Sequence, residues 1–339
     1  MNYVGFDLGS SSLKLLEVTK EGGKLKAIQA FEYTNPFGMA LPTDEAQLKQ
    51  LAEMLKQVLT EHKVSLSSVR TAIPESLIST KIISTPPLSD AELASAIDWL
   101  AEQHIAIPLE EVKVEYEVLY RPDNNKKEEN MRVMLIGVPK VVIAQQMKLF
   151  ELLEIEPVVM ETQVVALLRS VMSEQMPTTL IVNLGASSTD FVIVHNKEIV
   201  FVYSFGNGGR LLTRSVERGL NLTTEQAEEY KKSYGIDPQF LEGKLANILD
   251  PVMRLFVTEI QKALLYFTGQ FGTLQVQRIL FAGGGAQLGG LVPYFAKQFT
   301  QEIVVANPLA NIVADTKIPL PMDRSASFAI ATGLVMREV

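Results

Sequence analysis

The first alternating run of apolar and polar positions is Val4-Gly5-Phe6-Asp7-Leu8, which leads through the small-residue turn Gly9-Ser10-Ser11-Ser12 into a second β-type run, Leu13 to Thr19. The turn Glu21-Gly22-Gly23-Lys24 and a third run, Leu25 to Tyr33, complete a meander. The same order of patterns returns far downstream. Leu180-Ile181-Val182-Asn183-Leu184 meets Gly185-Ala186-Ser187-Ser188-Thr189-Asp190, and Phe191 to His195, the turn Asn196-Lys197 and Glu198 to Phe205 follow. A repeated meander with the length of a domain between its copies predicts two related domains that face each other.

Between and after the copies the period changes to that of helices. Leu48, Leu51, Leu55, Val58 and Leu59 recur at helical spacing behind a Thr43 cap, and a strand over Val69 to Ile73 follows. From Ser76 to Glu156 the pattern reads as an inserted α+β unit. It comprises a strand Leu77 to Ser84, a helix opened by the capping box Ser89-x-x-Glu92, strands Val112 to Tyr120 and Arg132 to Val138, and a helix Val141 to Leu153. The polar run Arg121 to Asn130 predicts a solvated, mobile loop. Later helices are expected through Arg218 after the flexible loop Gly206 to Arg210, behind the capping box Thr223-x-x-Gln226 with Gly235 as stop, from about Pro251 to Phe267, and near Ser325 to Met336. In the last of these, Ala329, Ala331 and Gly333 are small enough for close helix approach. The domain reading is therefore residues 1–75 with 157–175 as the first core, 76–156 as the insertion, 176–220 with 272–339 as the second core, and 221–271 as a helical subdomain.

Composition narrows the class. A length of 339 residues with 47% hydrophobic content fits two domains with insertions. No apolar run approaches the roughly 18–20 residues that span a bilayer, and the N-terminus enters a strand directly, so a soluble, non-exported chain is expected. Zero cysteines exclude disulfides and thiolate chemistry. The histidines, His62, His104 and His195, are too scattered for a histidine metal site. A net charge of −8 argues against broad nucleic-acid binding.

The chemistry suggested by the turns is phosphate binding. Successive amides of a Gly/Ser turn after a buried strand point into one concavity, and Ser10, Ser11, Ser12, Ser187, Ser188 and Thr189 add hydroxyl donors. Asp7 and Asn183 end their strands beside these turns, where a carboxylate holds the water shell of Mg²⁺. A further glycine turn, Gly283-Gly284-Gly285-Ala286-Gln287-Leu288-Gly289-Gly290, follows the strand Arg278 to Ala282. It lacks the Gly-Lys-Ser/Thr ending of a P-loop and the third glycine of the dinucleotide fingerprint, so it reads as a tight turn by itself and, combined with the two phosphate-type turns, as a shelf for adenine or ribose.

In this order the motifs resemble the actin, sugar kinase and heat-shock chaperone ATPases. Asp7 to Ser12 is similar to their first phosphate motif, Asn183 to Asp190 to the second, and Gly283 to Ala286 to the adenosine motif. Within that superfamily the chain resembles the PilM family of type IV pilus assembly, related to the division protein FtsA. The likeness lies in Thr71-Ala72-Ile73-Pro74, Pro86-Pro87-Leu88-Ser89-Asp90-Ala91-Glu92-Leu93, Ile105-Ala106-Ile107-Pro108-Leu109-Glu110-Glu111-Val112 and the helix Ala227 to Gly235. The resemblance implies an α/β, actin-like (ribonuclease H-like) fold of duplicated domains with an inserted FtsA/PilM-type subdomain. It implies a site for ATP or ADP with Mg²⁺ formed by Asp7, Gly9, Ser10, Ser11, Ser12, Lys14, Asn183, Gly185, Ala186, Ser187, Ser188, Gly208, Gly209, Glu228, Lys231, Gly283, Gly284, Gly285 and Gln287. Asp7, through water, and more weakly Asn183 are the implied metal contacts.

One departure bears on activity, since active ATPases of the superfamily usually carry Asp at the start of the second phosphate motif. Asn183 can neither act as a base nor add charge at Mg²⁺, so binding with weak or absent hydrolysis is expected. The implied role is a cytoplasmic nucleotide-binding scaffold for bacterial motility that takes the N-terminal peptide of PilN in an interdomain groove. It thereby joins the inner-membrane pilus complex at the inner face of the membrane without inserting in it. Two alternatives stand beside this reading. One is an active ATPase or kinase of the same fold, disfavoured by Asn183. The other is an FtsA-like filament former, disfavoured because no linker and amphipathic helix follow Leu334 to Val339.

Overall fold

A computed structural model describes residues 2–123, 129–314 and 320–338. The first meander forms β1 (Asn2–Leu8), β2 (Ser12–Glu21) and β3 (Lys24–Thr34), followed by α1 (Glu45–Glu61) and β4 (Val69–Ile73). An excursion through β5 (Ser79–Thr85), α2 (Asp90–His104), β6 (Val112–Tyr120) and β7 (Met131–Pro139) precedes α3 (Lys140–Leu153), β8 (Val159–Thr162) and α4 (Gln163–Val171). The second meander is β9 (Thr179–Leu184), β10 (Thr189–His195) and β11 (Glu198–Phe205), followed by α5 (Gly209–Leu220), α6 (Thr224–Tyr234) and α7 (Lys244–Phe271). The chain then runs through β12 (Arg278–Ala282), α8 (Leu291–Ala296), β13 (Glu302–Val305) and α9 (Ala329–Met336). Strand order is β3-β2-β1-β4-β8 in one sheet and β11-β10-β9-β12-β13 in the other. In both, the meander is antiparallel and the next two strands add in parallel. The repeat is thus a whole-sheet duplication.

Period-2 alternation decides what each face of these sheets meets. Val4, Phe6, Leu8, Leu13 and Leu15 pack on α1 and α3, while Leu16 and Val18 on the opposite face meet Phe328, Ala331 and Val335. In the second sheet Leu180, Val182, Phe191 and Ile193 pack on the α5–α7 side, while Ile181, Val192 and Val194 meet Val164 and Leu167 of α4 and Ile330 and Leu334 of α9. The layer made by α4 and α9 is therefore shared by both halves. Arg70 fixes the end of α9 from inside β4. It is 2% exposed and donates from one nitrogen to the carbonyls of Leu334 at 3.1 Å, Val335 at 2.9 Å and Arg337 at 2.6 Å, supplying acceptor-rich last-turn carbonyls with a cation.

Some sequence expectations shift. The cap of α1 is Asp44, which accepts from the Gln47 N–H, one residue after Thr43. The helix expected from Pro251 begins at Lys244 and carries Pro251 inside it, because Leu245 and Leu249 drive the earlier turns into the core. Helix α3, expected within the insertion, whose sheet is β5-β7-β6, packs Leu149, Phe150 and Leu153 against the first core and Val142 against Val138 of β7. The C-terminal segment packs on both cores, because an apolar helix like α9 is buried on all sides: Ile330 and Leu334 meet the second sheet, and Ala331 and Val335 meet the first. Backbone bonds between Ala27 and Val313 and between Val313 and Leu25 tie it there. Of the loop expected at Arg121 to Asn130, residues 124–128 lie outside the described residues. Both capping boxes form as expected. Among the described residues no helix is long and apolar enough to cross a membrane.

Candidate functional site between the glycine turns

Asp7, one residue before the end of β1, lies on the face that looks toward α4, directly across the strand pair from Lys14. Its carboxylate accepts a hydrogen bond from Gln163 Nε2 at 3.1 Å. Burial raises its pKa, against the opposing pull of the Lys14 charge and the Gln163 bond. Lys14 is itself buried, and its ammonium donates to Ser12 Oγ at 2.8 Å and lies 3.7 Å from Glu32. The first turn, Gly9 to Ser12, therefore has a cation folded over it. Asn35 braces the same turn, since its amide donates to the Gly9 carbonyl and its backbone N–H to the Ser11 carbonyl.

The second turn is built on a related plan with the polar residues exchanged. Asn183 faces Asp190 across β9 and β10, as Asp7 faces Lys14, and its amide donates to Asp190 at 3.1 Å. Ser204 donates to the other Asp190 oxygen at 2.8 Å, and burial pushes the Asp190 carboxyl upward in pKa. Asp190 is thus held by its neighbours and does not fill the place of the missing strand-end acid. Gly185 closes the turn by donating to the Ser188 carbonyl. Gly208 and Gly209 lie against this turn, with Gly209 and Arg210 amides donating to the Gly185 and Ala186 carbonyls, each at 2.9 Å.

Glu228 and Lys231 stand beside the start of α5. Lys231 Nζ lies 2.6 Å from Glu228 and 2.9 Å from Thr213, and it also reaches the Gly209 carbonyl at 3.3 Å. Burial lowers the Lys231 pKa, against the Glu228 charge, while Glu228 stays below the ordinary carboxylate value because Lys231 and Thr213 outweigh its burial. This is a half-buried polar cluster at the cleft wall, whereas an exposed ion pair would have little structural consequence. On the other side, Gly283 has φ 81°, and a Cβ there would come within 2.7 Å of Asn183 Oδ1, so only glycine brings this shelf against the second turn. A Cβ on Gly284 would meet nothing within 4 Å, and Gln287 is exposed. Gly284 therefore presents bare backbone to the open side.

The residues expected from sequence lie on these turns, on the strands that carry them and at the start of α5, except Glu228 and Lys231, which project from the body of α6. Two participants escape sequence reading. Gln163 begins α4 in a run of apolar residues, and only the fold brings it to Asp7. Arg210 donates to the carbonyls of Ser10 and Gly38 in the first half of the molecule and, at 3.0 Å, to Ser187 Oγ in the second. Among the described residues no group of three or more His, Cys, Asp or Glu side chains forms a metal cage. Away from the turns, a cavity of about 380 Å³ lies between the inserted sheet and the second core, lined by Ile82, Ser84, Tyr120, Arg132, Val200 and Tyr266 among others.

The family described as "Type IV pilus assembly protein PilM" matches residues 5–339. Among solved structures, a PilM-PilN type IV pilus biogenesis complex aligns over 98% of this chain and 97% of that chain, with 23% identity and a TM-score of 0.85. Ethanolamine utilization protein EutJ from Carboxydothermus hydrogenoformans aligns over 99% and 89%, with 15% identity and a TM-score of 0.60. MreB5 of Spiroplasma citri bound to ADP aligns over 98% and 94%, with 14% identity and a TM-score of 0.50. At these identities the structural likeness is one of fold, and the fold is actin-like.

Proposed function

The chain belongs to the type IV pilus assembly protein PilM family, and from that premise we propose that it is a nucleotide-held adaptor which carries the N-terminal cytoplasmic peptide of PilN. ATP or ADP sits between the glycine turns, with phosphates on the amides of Gly9 to Ser12 and Gly185 to Ser188, and Lys14 as the nearby cation. Gly283 to Gly285 and the Glu228–Lys231 cluster flank the adenosine. Asp7 is the carboxylate that would hold Mg²⁺ through water, and with no protein cage among the described residues the metal would depend on nucleotide oxygens for its other contacts. When bound, Mg²⁺ would neutralise phosphate charge. The observation that carries this reading is the facing pair of turns, each at the strand end of its own sheet and joined across the cleft by Arg210.

Hydrolysis is weak in this account. The strand-end position of the second turn holds the neutral Asn183, and the nearest acid, Asp190, is occupied by Asn183 and Ser204. The peptide is received beside the inserted β5-β7-β6 sheet, as an extended segment needs exposed backbone and apolar pockets. The protein then acts on the cytoplasmic side and reaches the inner membrane through its partner. A synthetic peptide of the PilN N-terminus is expected to bind the purified chain with one-to-one stoichiometry in a calorimetric titration. No heat of binding up to high micromolar peptide, with Mg-ATP present, contradicts the adaptor role.

A further inference from the structure

We propose that Arg210 is the positioning residue that couples occupancy of the phosphate turns to closure of the two cores, an inference that rests on the nucleotide reading above. Its backbone belongs to the second half, where its N–H donates to the Ala186 carbonyl at 2.9 Å. Its guanidinium belongs to the first half, where it donates to the carbonyls of Ser10 and Gly38 while still holding Ser187 Oγ. Gly38 sits at φ 74° and gives the loop the left-handed bend that aims its carbonyl at the guanidinium. Asn35 ties this loop to the first turn by donating to both the Gly9 and Met39 carbonyls. Among the described residues no carboxylate forms an ion pair with Arg210, so its direct partners are carbonyl dipoles and a hydroxyl. Burial lowers its pKa, with Arg214 acting in the same direction and Glu228 opposing.

The coupling follows from the geometry of one peptide unit. The Ser10 carbonyl that accepts from Arg210 shares its peptide plane with the Ser11 N–H, which is a turn amide of the kind a phosphate takes. A phosphate on that N–H polarises the carbonyl and strengthens the bond on its far side, as in any hydrogen-bond chain. A filled turn therefore pulls harder on Arg210, and Arg210 carries the second core with it. By reciprocity, the staple tightens nucleotide binding by the same factor.

The test uses the absence of native cysteine. Cysteines replacing exposed Glu53 on α1 and Gln298 beyond α8 carry a spin-label pair, and the inter-core distance is read with and without Mg-ATP alongside nucleotide affinity. The unsubstituted background is expected to bind and to narrow its distance distribution. Arg210→Ala is expected to bind about tenfold more weakly, a typical coupling strength, and to show no narrowing even at saturation. Arg210→Lys, which keeps the charge but loses the fork, falls between the two. A melting temperature for Arg210→Ala that matches the background without nucleotide separates loss of coupling from loss of fold. Equal affinity and equal narrowing in Arg210→Ala overturn the staple alone, whereas no binding in the background overturns both the staple and the nucleotide reading.

Discussion

Asp7 and Asn183 hold equivalent places in two copies of one turn, yet their cross-strand partners are opposite in kind. Lys14 compensates the first, and an acid, Asp190, sits across from the second. Close to that acid is Glu75, 3% exposed, whose pKa is pushed up to about 8 by burial first and by the Asp190 charge second, against the Thr80 hydrogen bond. The Val164 backbone acts in the same direction as Thr80. Because the folded pKa lies above the ordinary 4.5, the native state binds the proton more tightly than the unfolded chain. The stabilisation from Glu75 is therefore complete below that ordinary value and is lost as pH rises toward about 8. Glu75→Gln, fixed in the neutral form, is expected to melt roughly 2 °C or more above the parent at pH 8 and to match it at pH 4, which thermal scans at the two pH values check.

At the scale of elements, two glycines within helices should respond oppositely to substitution. Gly333 of α9 faces α4 so closely that a Cβ would stand 1.7 Å from the Ala166 carbonyl oxygen. Gly333→Val is expected to lose about 3 kcal/mol in urea denaturation, through overpacking that separates the shared helix layer. Gly269, exposed on α7, has nothing within 4 Å of that position, and Gly269→Ala should gain about 0.5–1 kcal/mol from helix propensity. The small residues of α9 were readable as a close-approach face because their spacing is local, and the meanders and capping boxes were readable for the same reason. What covers α9 was not, since an all-apolar helix gives no preferred side and its contact with β1 and β2 joins opposite ends of the chain. Of the site, turns with local signatures were legible. Gln163 and Arg210 carry no such signature, and each acquires its role from a contact more than a hundred residues away in sequence, with Asp7 and Ser10 respectively.

The whole molecule is two copies of one sheet held apart by the α4–α9 layer and drawn together at the turns. The layer combines a densely packed apolar interior with arginine bonds from Arg70 and Arg169 to the carbonyls of α9, while at the cleft mouth the Arg210 guanidinium reaches backbone carbonyls and a hydroxyl. Packing of that kind resists deformation, whereas an arginine fork can make and break, which places adjustable closure at the nucleotide side. The inserted sheet borders the second core along β11 and α7, at the cavity lined by Val200 and Tyr266, so a change in closure alters its surroundings. The central claim is that the turns hold a nucleotide, and the most direct measurement is a calorimetric titration of the purified chain and its Asp7→Ala and Gly284→Val variants with Mg-ATP. Saturable one-site binding that both variants weaken is the expected result, Gly284→Val acting from the open side of the shelf without an internal clash. Absent binding, or an affinity unchanged in both variants, contradicts the account.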